Sequence, residues 1–216
     1  KSLKIREKLN DVNLLSIAYS NIAGLQKDLG NYDQALIAYQ KSLKYANIAG
    51  NPLRKALILN NIGTLYTQIG NPKRALEYYE ESVVIREEIV HPTQLTTLYS
   101  NIANRLFDLG KVQQAAEYYA TVLSIREEQG NATEIAKTLL DLAKVEQKRE
   151  NLNQAYDYAH RAYGIADSTQ DYSLLRNASR WLGFINSDRG LPAKALSQFE
   201  KSLAYSRFLS RRSQIH

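Results

Sequence analysis

Asn61-Ile62-Gly63-Thr64-Leu65-Tyr66-Thr67-Gln68-Ile69-Gly70-Asn71-Pro72 is the stretch whose reading decides the fold. A glycine closing an apolar run marks a helix end, because it tolerates the left-handed backbone found there. A proline two residues later suits the first turn of the next helix, where its missing N–H leaves nothing unpaired. The same punctuation keeps time along the whole chain. Six of the ten glycines fall at Gly30, Gly50, Gly70, Gly110, Gly130 and Gly190, and all four prolines, Pro52, Pro72, Pro92 and Pro192, stand two places after such a mark. The spacing predicts helices of roughly 17–18 residues joined by tight turns, with no room for strands. Val90 and Glu150 are among the marks that lack glycine. Val90 keeps its Pro92, so that turn is expected to be intact. Glu150 loses both signals, so a looser turn or a shifted register is expected there.

The period of the side chains is twice the beat, two helices per unit. Asn21-Ile22-Ala23 recurs as Asn61-Ile62-Gly63 and Asn101-Ile102-Ala103, then drifts to Asp141-Leu142-Ala143 and Trp181-Leu182-Gly183. Ala35, Ala75, Ala115, Ala155 and Ala195 form a second column. Tyr39, Tyr79, Tyr119, Ala159 and Phe199 form a third, and Ser42, Ser82, Val122, Ala162 and Ser202 a fourth. Small residues in the first column let paired helices approach closely, and the aromatics of the third are expected to fill the space between adjacent hairpins.

The pattern Tyr19-x-x-Ile22-Ala23, Gly30, Ala35, Tyr39, Ser42 resembles the tetratricopeptide repeat, in the long variety found in kinesin light chains, Pins-like adaptors and bacterial signalling proteins. The resemblance implies an all-α fold, a right-handed α-solenoid of helix–turn–helix repeats. Units follow at 16–55, 56–95, 96–135, 136–175 and 176–216, the fourth divergent and the fifth carrying a basic tail, after a remnant helix of a preceding repeat at 1–15. Ser2-Leu3-Lys4-Ile5-Arg6-Glu7 matches Ser82-Val83-Val84-Ile85-Arg86-Glu87, so the chain reads as opening partway along a helix, as a piece of a longer protein.

Composition narrows the chemistry. Cysteine is absent, which removes disulfides, thiolate nucleophiles and Cys-bound metals and fits a cytoplasm, the favoured compartment, or a bacterial periplasm. No apolar run approaches the ~20 residues that cross a bilayer, so no membrane contact is expected. The three histidines His91, His160 and His216 stand apart, without zinc-ligand spacing, and no phosphate loop or nucleophile elbow occurs. No catalytic, metal or cofactor site is expected, and hence no enzyme. The Asn131 and Asn177 glycosylation sequons are short enough to arise by chance, and Asn131 reads as a helix N-cap. The net charge of +6 arises after residue 175, where eight basic residues face Asp188 and Glu200. That excess can attract an acidic partner or can be a solvated helix end. Nucleic acid is disfavoured, because the basic residues lack an aromatic stacking platform.

The functional signal is the asparagine column. The resemblance places the first helix of each unit on a concave face, where Asn21, Asn61 and Asn101, flanked by Asn60 and Asn104, can pair with the N–H and C=O of an extended peptide. The competing reading is that these amides pair with neighbouring helices or face water. Beyond the column, Lys137, Asp141, Lys144 and Lys148 share one helix face, continued by Asn177, Arg180, Trp181, Phe184 and Asp188. Lys137, Lys144, Lys148 and Arg180 can hold an acidic side chain or a terminal carboxylate, the competing reading being ordinary charged helix surface. The function expected is therefore a non-catalytic peptide-binding scaffold in the sensory or interaction part of a larger bacterial signalling protein. The alternative is self-assembly through the terminal helices, with Phe208 and Leu209 as candidates.

Overall fold

A computed structural model describes residues 11–213; residues 1–10, which hold most of the expected remnant helix, and residues 214–216, His216 among them, lie outside the described residues. Those residues form ten α-helices and one short 3-10 turn, without strands. Two compact units contain them, Lys1–Leu109 and Gly110–His216. The first holds α1 (Val12–Asp28), α2 (Tyr32–Ile48), α3 (Pro52–Gln68), α4 (Pro72–Glu87), the 3-10 turn Pro92–Gln94 and α5 (Thr96–Asp108). The second holds α6 (Val112–Gln129), α7 (Ala132–Lys148), α8 (Leu152–Ser168), α9 (Tyr172–Asp188) and α10 (Pro192–Ser213).

The turns follow from the beat. All six glycines on the mark are left-handed, with φ between 60° and 79°. At Gly30 the N–H bonds to the Lys27 carbonyl at 3.0 Å and the Asn31 N–H to the Gln26 carbonyl at 2.8 Å, which satisfies the orphan carbonyls of α1. At three of the turns the next residue then caps the following helix through its side chain. Asn51, Asn71 and Asn131 each accept, through the side-chain oxygen, the N–H three residues on, so Asn131 is the cap expected.

Where glycine is missing, the outcome depends on what replaces it. The turn at Glu150 is neither loose nor shifted, contrary to expectation. Glu150 takes φ 63° and repeats the same two bonds, its N–H to the Gln147 carbonyl at 3.0 Å and the Asn151 N–H to the Glu146 carbonyl at 2.9 Å. Buried Glu146 holds this turn closed, pairing with Arg149 at 2.7 Å and accepting from Asn151 Nδ2 at 2.7 Å. Gln170 does the same at φ 53°. The turn at Val90, expected to be intact, is rebuilt. A β-branched residue resists the left-handed region, and Val90 does not enter it. α4 stops at Glu87, the connection closes through Pro92–Gln94, and α5 is left with 13 residues. Arg86 donates to the Gln94 carbonyl and Tyr99 to Glu87, tying the new loop down.

Within each hairpin the columns do the packing. A Cβ on Gly63 would stand 2.6 Å from the Tyr79 ring, and one on Gly183 2.5 Å from Phe199. The third-column aromatics therefore also press onto the small residue of their own hairpin, a contact beyond the expected filling of the space between adjacent hairpins. Tyr39 also reaches the next one, sharing a core with Ile58, Ile62 and Leu65. The serines of the fourth column are clamps, which Val122 and Ala162 at the same position cannot be. Ser82 Oγ donates to the Ala56 carbonyl at 2.8 Å and Ser202 Oγ to that of Arg176 at 2.9 Å, while Ser16 and Ser42 exchange such bonds reciprocally. Each clamp pins a second helix to its first, fixing which stripe of the first helix faces outward.

Candidate functional site

That outward stripe carries the asparagines. In the first unit Asn21 is exposed on α1, while Asn61 on α3 and Asn101 on α5 are half-buried. Ser20, Asn21, Gly24, Leu25, Lys27, Asp28, Tyr39 and Asn61 line one open hollow of about 500 Å³, so two members of the column share a concavity. Its floor is Tyr39, whose hydroxyl is held protonated by burial and, second, by the charge of Asp28. Among the described residues the side-chain amides of Asn21, Asn61 and Asn101 make no hydrogen bond to the protein, so the helix-pairing alternative does not account for them. Each amide offers two donors and an acceptor, the complement of one peptide unit. The flanking pair is less alike. Asn60 is half-buried, and Asn104 donates Nδ2 to the Ser100 carbonyl at 2.9 Å, so part of its capacity is spent within α5.

In the second unit the basic residues are partly matched by their own neighbours. Lys137 is exposed and ion-paired to Glu134 at 2.7 Å, and Glu134 also holds Arg126 at 2.9 Å. The hydrogen bond from Lys137 keeps the Glu134 carboxyl below its ordinary value despite partial burial. Asp141, which occupies the asparagine column, is half-buried, and burial pushes its carboxyl up to about 6 against the opposing pull of Lys144 and Arg126. Lys148 and Arg180 are exposed. On α9, Trp181 and Phe184 meet edge to face with centroids 5.7 Å apart, and Phe184 packs in turn on Phe199. Gln147 on α7 donates to Asp188 on α9. Among the described residues no group of three or more His, Asp or Glu side chains is placed to hold a metal, and no helix is long and apolar enough to cross a membrane.

Sequence reasoning missed the apolar part of this surface. Leu25 lines the asparagine hollow, and Leu53 and Leu57 of α3 line a second one beside it in sequence. The signal was available in the columns, since units three to five carry polar residues where α3 has Leu53 and Leu57.

Hairpins of this length, clamped second helix to first and bearing an open polar stripe, define a class of helical-repeat interaction proteins. The chain belongs to the tetratricopeptide repeat family, whose profiles match residues 2–88 and 95–128. No curated protein matches it in sequence. Among solved structures it is similar to BtubC (BKLC) from P. vanneervenii, with 20% identity over 97% of this chain and 88% of that one and a TM-score of 0.83. It is similar also to a putative kinesin light chain from Podosopora anserina, 15% identical over 90% of this chain and 96% of that one, TM-score 0.78. A third is a signal transduction ATPase with numerous domains from Pyrococcus horikoshii, which has a tetratricopeptide repeat sensor. It is 21% identical over 97% of this chain and 33% of that one, TM-score 0.82. These likenesses show the fold, all-α and of the α-solenoid class. Tetratricopeptide repeats mediate protein–protein interaction and are typically non-catalytic scaffolds.

Proposed function

We propose that this chain is a non-catalytic scaffold that grips an extended peptide segment through Asn21, Asn61 and Asn101, as the sensory or interaction region of a larger bacterial signalling protein. The observation that carries the reading is the shared hollow of Asn21 and Asn61, whose amides are open to a ligand. A row of amides at one position per repeat reads backbone, so it selects for an extended conformation more than for a side-chain sequence. In the second compact unit, Lys137, Lys144, Lys148 and Arg180 are proposed by themselves as contacts for an acidic side chain or a terminal carboxylate, with Lys148 and Arg180 the more available. The sensor part of the archaeal ATPase supports the signalling role by analogy of fold alone.

The test is a dodecapeptide selected on the wild-type chain from a phage-displayed random library. Asn21→Ala, Asn61→Ala and Asn101→Ala combined should abolish its binding in calorimetry while helicity and the unfolding midpoint stay unchanged. Full affinity in the triple variant sinks the reading. A second reading, self-association of copies, is favoured by one observation. Leu196 and Leu203 on α10 are 61% and 51% exposed, although Leu76 and Val83 at the same repeat positions are buried. Phe208 is partly occupied by Tyr172, its ring 4.4 Å away. Sedimentation over a concentration series decides that reading, since a pure peptide binder stays monomeric.

A further inference from the structure

One repeat departs from the others at two positions of the outward stripe. One turn before the asparagine column the sequence reads Ile17, Leu57, Thr97, Lys137 and Asn177; one turn earlier still it reads Asn13, Leu53, Thr93, Thr133 and Ser173. Only α3 places an aliphatic residue at both. Leu53 is 45% exposed and Leu57 42%, so neither contributes fully to the core. Together with Asn51 and Arg54 they line an open hollow of about 230 Å³. The Asn51 side chain is engaged in capping Arg54 N–H at 2.9 Å, which leaves the two leucines and the guanidinium as the groups available to a ligand. The neighbouring Lys55 is paired with Glu81 at 3.0 Å, whereas Arg54 has no ion pair among the described residues.

The chemistry of the hollow is specific. Its volume is below the roughly 300–1,000 Å³ of pockets that enclose a free small molecule, so it suits a single side chain. Its walls are aliphatic and contain no ring on which an aromatic would stack. A carboxylate is the complement of an unpaired guanidinium, which offers a planar fork of donors to it. Leu57 lies one helical turn from Asn61, on the same stripe. A segment whose backbone is held by Asn61 therefore has a side chain within reach of Leu57.

We propose that Leu53, Leu57 and Arg54 form a specificity subsite for an extended peptide that carries an aliphatic side chain with a carboxylate close to it in sequence. The inference rests on the peptide-binding reading above and adds the class of sequence selected. The leucines take the aliphatic group out of water, Arg54 takes the carboxylate, and Asn61 takes the backbone between them. Partners without the aliphatic residue leave the leucines wet, and partners with a basic residue in place of the acid face Arg54.

The experiment is selection of phage-displayed random dodecapeptides on the wild-type chain and on the Leu53→Asn/Leu57→Thr variant. The variant uses residues the chain itself places at the equivalent positions 13 and 97, so it is expected to fold, and far-ultraviolet circular dichroism checks that it does. Wild-type binders should be enriched in Leu, Ile or Val with Asp or Glu within two residues, and the variant should still yield binders but without that enrichment. A wild-type binder should lose about tenfold in affinity for the variant, and Arg54→Gln should flatten the dependence of its binding on salt. Wild-type binders lacking the aliphatic–acidic pair, or equal affinity for the variant, overturn the subsite while leaving backbone gripping intact. Failure of the wild-type chain to select any peptide overturns both. A change in sedimentation on mutating the leucines would assign them to contacts between copies and overturn the subsite as well.

Discussion

Replacing Glu150 by glycine should stabilise the protein, and the sign of that effect is a direct test of how the turns are built. Glu150 sits at φ 63°, where a residue with a Cβ pays about 1–2 kcal/mol relative to the right-handed region. Glycine removes that cost but enlarges the unfolded ensemble, giving back about 0.5–1 kcal/mol. The net expectation for Glu150→Gly is a gain of about 0.5–1 kcal/mol, or roughly 2 °C in melting temperature for a chain of this size. Gln170→Gly, at φ 53°, should behave alike, and the two gains should add because the turns share no partner. Val90→Gly must behave oppositely. Val90 does not occupy the left-handed region, so glycine relieves nothing and only the entropic loss remains, about 0.5–1 kcal/mol of destabilisation. Urea titration followed at 222 nm compares the midpoints, and hydrogen exchange at the amides of Glu150 and Asn151, both bonded across the turn, reports the local effect. A lowered midpoint for Glu150→Gly, or a raised one for Val90→Gly, would refute the account of both turns.

Two further outcomes follow from the packing and the charges. Gly63→Ala should destabilise by about 1–2 kcal/mol, because overpacking against the Tyr79 ring outweighs the gain in helix propensity. Gly164→Ala, with nothing within 4 Å of the added Cβ, should instead gain about 0.5–1 kcal/mol, so equal thermal shifts for the two would contradict the ring contact. The Asp141 carboxyl titrates at about 6 in the folded chain against 3.8 for an unperturbed one, so between about pH 4 and 6 the native state binds the extra proton. Stability therefore falls as pH rises through that window, by no more than about 3 kcal/mol. Asp141→Asn should remove this slope, raising the urea midpoint at pH 8 and leaving it near the wild-type value at pH 4; an unchanged slope would mean another group carries it.

Most of the helix ends are legible in the sequence because one residue type answers one backbone demand. Glycine at a left-handed position is such an answer, and it places the turns at Gly30, Gly50, Gly70, Gly110, Gly130 and Gly190. Legibility fails where two solutions compete for the same demand. At Glu150 and Gln170 the chain accepts the strained conformation, and at the first of these the buried Glu146 carboxylate, bonded to Arg149 and Asn151, holds it there. At Val90 a β-branched side chain makes the same strain costlier, and the chain spends three residues on a 3-10 turn. Proline at position 92 fits either outcome, since it favours the first turn of any helix, and so could not discriminate between them.

The site divides along the same line. Whether Asn21 and Asn61 share a stripe is a question of register, and the serine clamps answer it by fixing the first helix of each of those two units against its second. The unit that carries Asn101 has Val122 at the clamp position and no such bond. The clamps are readable only as a column of small residues until the hydroxyl is seen to reach a carbonyl 26 residues back. Whether a charge on that stripe is available to a ligand is a question of partners. Lys137 illustrates why periodicity alone overcounts: Glu134, three residues before it, lies on the same helix face and takes its charge at 2.7 Å. Counting each cation together with the acids three and four places away would have separated Lys137 from Lys148 and Arg180. Arg54 passes the same count, but so does Lys55 beside it, which Glu81 of another helix pairs. Arg54 is set apart by having no ion pair among the described residues and by a hollow that offers two leucines instead. An unmatched cation beside unmatched apolar surface, one turn from an unmatched amide, is a surface built to be completed by another chain.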